Sequence, residues 1–281
     1  MNNPIVELFT IPTLRTDADW QQIVTAQECI YLNRKCVKVR KSQPDVSIGT
    51  CTIRHGAKQA HEVIVCPHRL LERGQVFFDC LHLLTLHEPG NEIHRVGEIE
   101  IPGGNVDYFL VSVRAGKVID FVGVELQSLD TTGTLWPVRQ QFLRSVGLVE
   151  PDALQATRPY GVNWKMTAKT TMLQLHHKVE TFEHLGKHLV LVIQDGLLAY
   201  MRREFNFGHI QDAKLGHAMH FHAYSLTERD QAYHLQLASR TSTDASGIAT
   251  ALGLHMSANV ELEVILNQLQ AKLSTKTLLR L

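Results

Sequence analysis

Asp107 stands near the start of GNVDYFLVSV, and Glu125 and Gln127 stand two apart near the end of FVGVELQ. Carboxylates from neighbouring strands hold a hard divalent cation through oxygen. A cation so held brings the pKa of a bound water toward neutrality, which hydrolysis of a phosphodiester requires. Alternation along a strand turns Glu125 and Gln127 to one face and Val124 and Leu126 to the other. Gln127 carries no charge and cannot act as a general base. It can orient a nucleophilic water by hydrogen bonds, which leaves activation to the metal. Glu98 and Glu100 alternate to one face of the preceding segment, so either can serve as a further carboxylate near the metal. The plain alternative, acids flanking strand ends and a solvated edge strand, stands beside this reading.

The cysteines form a second constellation. Cys29, Cys36, Cys51 and Cys66 are separated by six, fourteen and fourteen residues, and four thiolates suit tetrahedral Zn or Fe. None of them has the tight C-x2-C spacing, and His55, His61 and His68 are nearby substitutes. Cys80 falls on an apolar stripe and is expected to be simply buried. Five cysteines without a secretory leader argue against a disulfide framework and for a reducing, cytoplasmic setting. His217, His220 and His222 form an H-x2-H-x-H cluster without carboxylates at matching spacing, and are read as a polar strand face rather than a metal site. His176 and His177 are read the same way.

These residues need elements to place them. Residues 1 to 66, broken by Pro12, Pro44, Gly49 and Gly56, read as a small irregular module. From Arg69 to about His87 the apolar positions recur at helical spacing and predict a helix ended by Pro89 and Gly90. Strands follow at Arg95 to Ile101, Val106 to Val113 and Val118 to Leu126, the last two joined by a tight turn over Arg114 to Lys117. Val138 to Val146 is predicted helical, and Ala168 to Leu185 carries Met172, Leu175, Val179, Phe182 and Leu185 on one stripe. Leu189 to Ile193 is short enough for a buried strand, with a turn at Asp195 and Gly196. A last helix is expected over residues 257 to 273. The order helix, strand, strand, strand, helix, strand is that of the PD-(D/E)XK nuclease core, although many α+β domains share it.

Hydrophobic residues make up 44% of the 281, enough to fill a core. No apolar run approaches the roughly 18 residues of a membrane span, so no membrane partner is expected. Lys plus Arg and Asp plus Glu are each 28, and the balanced total gives no global sign of a nucleic-acid partner. Locally, residues 33 to 73 hold nine Lys or Arg against Asp45, Glu62 and Glu72, a local +6. Residues 139 to 178 hold Arg139, Arg144, Arg158, Lys165, Lys169 and Lys178 against Glu150 and Asp152. Either stretch can be a solvated basic face or one that competes for phosphates. The second reading places Arg158, Lys165 and Lys169 at DNA. One catalytic constellation per chain points to a homodimer for cutting both strands.

Three stretches, GTCTIRHGAKQAHEVIVCPHR, EIEIPGGNVDYFLV through FVGVELQSLDTTG, and RPYGVNWKMTAKTTMLQL, together resemble the NotI family of restriction endonucleases. The resemblance implies an α+β (α/β) chain with a PD-(D/E)XK restriction-endonuclease-like core, a central mixed sheet flanked by helices, and an N-terminal four-cysteine metal-binding module. The expected division is residues 1–68 for the metal module and 69–281 for the nuclease core. It implies Mg-dependent double-strand breaks at a specific DNA sequence, with Asp107 and Glu125 as Mg ligands, Gln127 completing the set and Glu98 as auxiliary carboxylate. Cys29, Cys36, Cys51 and Cys66 become ligands to a structural Fe or Zn. A cognate methyltransferase is expected as a genetic companion, not a bound partner. Two other readings stand beside it: a metal-containing DNA-binding regulator, and a repair or transposition nuclease on the same core.

Overall fold

A computed structural model describes residues 3–56, 60–148, 160–254 and 270–271. The N-terminal part builds a four-stranded sheet from β1 (Ile5–Leu8), β2 (Ile11–Pro12), β3 (Thr50–His55) and β4 (His61–Ile64), in the order β2-β1-β3-β4. Helix α1 (Trp20–Ala26) and two short ribbons, at 28–35 and 39–47, fill the connection between β2 and β3. Asp19 caps α1 by accepting from Gln22 N, which satisfies one of the amides that a helix start leaves without a partner.

The large sheet is mixed and has seven strands. Its elements are β5 (Glu92–Ile101), β6 (Gly104–Arg114), β7 (Lys117–Gln127), β8 (His188–Gln194), β9 (Gln211–Asp212), β10 (Met219–Arg229) and β11 (Ala232–Thr243), in the order β9-β11-β10-β8-β7-β6-β5. The three-strand meander expected from alternation is present. The turn between β6 and β7 uses Ala115 and Gly116, both at positive φ, as a two-residue hairpin loop requires. β8 pairs in parallel with both β7 and β10. All seven of its residues are buried, which explains why it reads as a continuous apolar run instead of an alternating one. The crossover from β7 to β8 carries α2 (Trp136–Ser145) and α3 (Trp164–His184), and α4 (Asp195–Glu204) follows β8 directly. Asp195 and Gly196 therefore begin a helix where a turn was expected.

Each face of this sheet has its own apolar layer. On one, Phe109, Val111, Leu189, Leu191, Ile193, Met219 and Phe221 pack with Met172, Leu175, Val179 and Phe182 of α3, and the layer continues into Ile5, Leu8, Trp20 and Ile53 of the N-terminal sheet. On the other, Leu110, Val122, Val124, Val190 and Val192 pack under Leu70, Leu71, Val76, Phe77, Leu83 and Leu84. This second cover is not the single helix predicted from Arg69 to His87. It is a 3-10 segment Pro67–Gly74, one helical turn Gln75–Phe78 and another 3-10 turn Leu81–Leu83.

The reason lies in Arg69, whose side chain is fully buried and donates to Glu7 Oε2 (2.7 Å), Glu72 Oε2 (2.8 Å) and Tyr233 O (2.6 Å). Glu72 and Arg73 leave helical geometry, and Glu72 also accepts from Leu235 N (2.8 Å). Satisfying a buried guanidinium here outweighs continuing the helix, since stranding that charge would cost several kcal/mol, on the order of 3–5. The helix expected over 257 to 273 lies almost wholly outside the described residues. Among the described residues no helix is long and apolar enough to cross a membrane.

Candidate active site

Asp107 and Glu125 fall opposite each other at the end of the antiparallel β6–β7 ladder, one step beyond the pairing of Tyr108 with Val124. The Leu126 amide donates to Asp107 Oδ2 (2.8 Å), so this carboxylate takes over the role of a ladder partner. Burial pushes both acids up. For Asp107 the Leu126 amide and the Lys178 charge oppose that rise. Glu125 is pushed up to about 7, chiefly by burial and further by Asp107, although the hydrogen bond from Lys178 pulls the other way. Two partly desolvated carboxylates at one strand end make a site that gains from a cation.

Lys178 supplies such a charge from the protein. It lies on the buried face of α3 with Leu175, Val179 and Phe182. Its Nζ is 2.5 Å from Glu125 Oε1, with the two side chains 8% and 14% exposed, and it also donates to Asn105 O. The sequence counted Lys178 among basic residues that could face phosphates, but the fold turns it inward to the acid pair. The signal was present in the spacing, because position 178 falls on the apolar stripe of the helix. The loop at Gly103 makes the approach possible. A side chain at Gly103 would put its Cβ 2.5 Å from His177 O, and its φ of +101° is open to glycine.

Gln127 points to the same side of β7 as Glu125, and the two line one small cleft with Gln174 and Lys178. Its amide nitrogen donates to Ser128 O (2.7 Å). On the other side of Leu126, a cleft of about 400 Å³ is lined by Asp107, Glu98, Tyr108, Gly97, Arg34 and His68. Glu98 falls between the pairings of Ile99 with Val106 and Gly97 with Tyr108, opposite Asp107, and its charge raises the Asp107 pKa. Glu100 pairs instead with Asn105. Of the two acids weighed for this position, Glu98 is the one that shares the cleft with Asp107. Arg34 reaches this cleft from the first N-terminal ribbon and His68 from the 3-10 segment after Cys66, placements that sequence spacing does not show.

Cys29, Cys36, Cys51 and Cys66 all line one small enclosed cavity, together with Phe9, Gly49 and His68. The residues arrive from three places: Cys29 and Cys36 from the first ribbon and its exit, Cys51 from β3, and Cys66 from the approach to Pro67. Cys51 and Cys66 share a hydrogen bond that holds the Cys66 thiol well below its usual range. His68, whose Nδ1 is 3.8 Å from Cys66 Sγ, and Lys38 add to the effect. Burial pushes the Cys29 and Cys36 thiols up. The donor set is soft and shielded from water. As the side chains stand, no three Cys, His, Asp or Glu among the described residues form a group able to hold a metal ion. Cys80 is fully buried in the other apolar layer.

Lys165 and Lys169 are exposed on the first turns of α3. Arg158 lies outside the described residues. Of the histidine cluster, His220 and His222 are on a strand, as expected, and His217 precedes it; the strand is interior, with His220 and His222 1% and 0% exposed. Burial is the main cause that lowers them to about 4 and about 3.

A family model described as Restriction endonuclease NotI matches residues 32–235, more than half of the chain and a span that includes the acid pair, Gln127, Lys178 and three of the four cavity cysteines. No curated protein matches the chain.

Proposed function

The chain belongs to the NotI family of restriction endonucleases and is a type II site-specific deoxyribonuclease, and from that premise we propose that it makes double-strand breaks by Mg-dependent hydrolysis centred on Asp107 and Glu125. The observation that carries the assignment is the juxtaposition of these two half-buried carboxylates across the end of the β6–β7 ladder. Oxygen donors of this kind suit Mg. When bound, the ion supplies an activated water and a counter-charge for the phosphate. Glu98 adds negative charge to the Asp107 side of the site. Gln127 has its amide nitrogen committed to Ser128 O, so its carbonyl oxygen is the atom that accepts a hydrogen bond from the attacking water and orients it.

The order β5-β6-β7, then α3, then β8 parallel to β7, supports a PD-(D/E)XK core spanning residues 69–281, with residues 1–68 as the attached module. Convergence of Cys29, Cys36, Cys51 and Cys66 on one shielded cavity supports a structural Fe or Zn, provided that the thiols rotate inward to close the shell. Double-stranded DNA is the substrate. Lys165 and Lys169, with Arg158 from the preceding segment, are assigned to its phosphates, and a homodimer supplies one acid pair per strand. A cognate methyltransferase protects the host's own sites.

The test is replacement of either acid. Asp107→Ala or Glu125→Ala should abolish cutting of plasmid DNA in Mg while metal-free DNA binding and the cooperative melt persist. Normal cutting by either variant would remove the assignment.

A further inference from the structure

Position 127 leaves the site one charge short. Gln127 is neutral, yet the partly desolvated Glu125 shares its cleft and the charge of Asp107, across the ladder, adds to the negative charge that Glu125 feels. Among the described residues that line this cleft, the cation is Lys178, which reaches it from α3 and not from β7. Its buried neighbours within one turn of α3, Leu175, Val179 and Phe182, are apolar, and packing alone would be served by another apolar residue. An ammonium group in that position is expensive to desolvate, and buried ion pairs seldom repay the cost in stability. Its two partners, Glu125 Oε1 and Asn105 O, lie at the acid site itself.

We propose that Lys178 is the positioning cation of the cleavage site, delivered by α3 to the charge-deficient place beside Gln127. It holds Glu125 by Oε1, so that the other carboxylate oxygen and Asp107 would be the groups to hold a metal, and it keeps a fixed positive charge beside the acids, where negative charge would develop on a bound phosphate. The proposal rests on the reading of Glu125 as a metal ligand.

Relocating the charge tests it. Lys178→Met should lower the single-turnover cutting rate in saturating Mg at least tenfold, with metal-free DNA affinity unchanged within about twofold, and should lower the melting temperature of the metal-free protein. Adding Gln127→Lys to that variant returns a lysine to the same cleft from β7. The double variant should regain most of the lost rate and the lost melting temperature. If Lys178→Met does not fold, Lys178→Gln, which keeps a donor for Asn105, replaces it under the same thresholds. A rate loss of less than tenfold overturns the proposal, as does a double variant that regains its melting temperature but no cutting. A rate loss matched by an equal loss of DNA affinity also overturns it, since Lys178 would then be a phosphate contact. Glu125→Ala serves as the control. If that variant cuts normally, the metal-ligand reading itself fails; if it is inactive while Lys178→Met cuts normally, only the role of Lys178 fails.

Discussion

His220 and His222 should make the protein sensitive to mild acid. Both rings sit inside the sheet. His220 faces His188, His217 and His82, and His222 faces His82, Arg240 and Cys80. His220 Nδ1 and His222 Nε2 are buried without a hydrogen-bond partner, so neither protonated ring would find an acceptor there. Their folded pKa values, about 4 and about 3, lie below the ordinary value of about 6.5. The unfolded chain therefore takes up these protons first as pH falls. Stability is complete above about pH 6.5, declines as pH drops from there toward the folded values, and declines no further from these groups below them. At pH 5 the unfolded rings have gained about 1.5 pH units of proton binding that the folded rings have not. At about 1.36 kcal/mol per unit, each histidine removes about 2 kcal/mol and the pair about 4. Against a total of about 5–15 kcal/mol for a typical domain, that is a large share. Urea unfolding at pH 8, 6.5 and 5 measures the slope. His222→Leu should flatten it by about 2 kcal/mol across that range. Because acids such as Glu7 titrate in both proteins, the difference between the two slopes isolates the histidine. Parallel curves for wild type and His222→Leu would refute the reasoning.

Gly103→Ala, which combines a φ of +101° with a collision against His177 O, should cost at least about 2 kcal/mol in urea unfolding; an unchanged midpoint would show that the loop relaxes freely. Replacing Lys165 and Lys169 together by Ala should weaken binding to all DNA sequences alike and reduce the slope of log affinity against log salt by roughly 2, as loss of two phosphate contacts does, and an unchanged slope in gel-shift titrations would place them away from DNA. Metal analysis of the purified protein should find about one Fe or Zn per chain, lost in Cys66→Ser together with thermal stability; a folded, active protein free of both metals would remove the cysteine assignment. Sedimentation of the DNA complex in metal-free buffer should give two chains per duplex, and concerted double-strand cutting by a one-chain complex would argue against the dimer.

The strands around the acid pair were legible because alternation and turn chemistry are local. Val106 to Val113 and Val118 to Leu126 read as strands, and the expected bounds fall within those observed. The face shared by Glu125 and Gln127 followed from period two alone. The segment after Cys66 was misread because Leu70, Leu71, Phe77 and Leu81 have helical spacing, but the burial of Arg69 against Glu7 and Tyr233 depends on residues 62 and 164 positions away in sequence. The interior position of His220 and His222 was missed for a related reason. Histidine on an alternating strand suggests a wet face, and only the parallel pairing of β10 with β8 shows that the strand is covered. Lys178 is the instructive case at the site: its position on the stripe was readable, but its partner lies 53 residues earlier on another element.

The outer strand of the large sheet has a consequence for solubility. β5 runs ten residues along the sheet edge, nine of them exposed, with Ile93, Val96 and Ile99 open to water. An edge of that length and character is a template on which a second chain could add a strand. Its interruption is Glu98, which carries a charge and a φ of +47° in the middle of the strand. That backbone turn breaks the regular row of amides and carbonyls that an incoming strand would need, and the carboxylate opposes burial of the edge. The residue that brings a third acid to Asp107 thus also guards the rim. Glu98→Val would remove the charge and favour straightening the strand, so its damage would appear first as aggregation during expression and only then as lost cleavage.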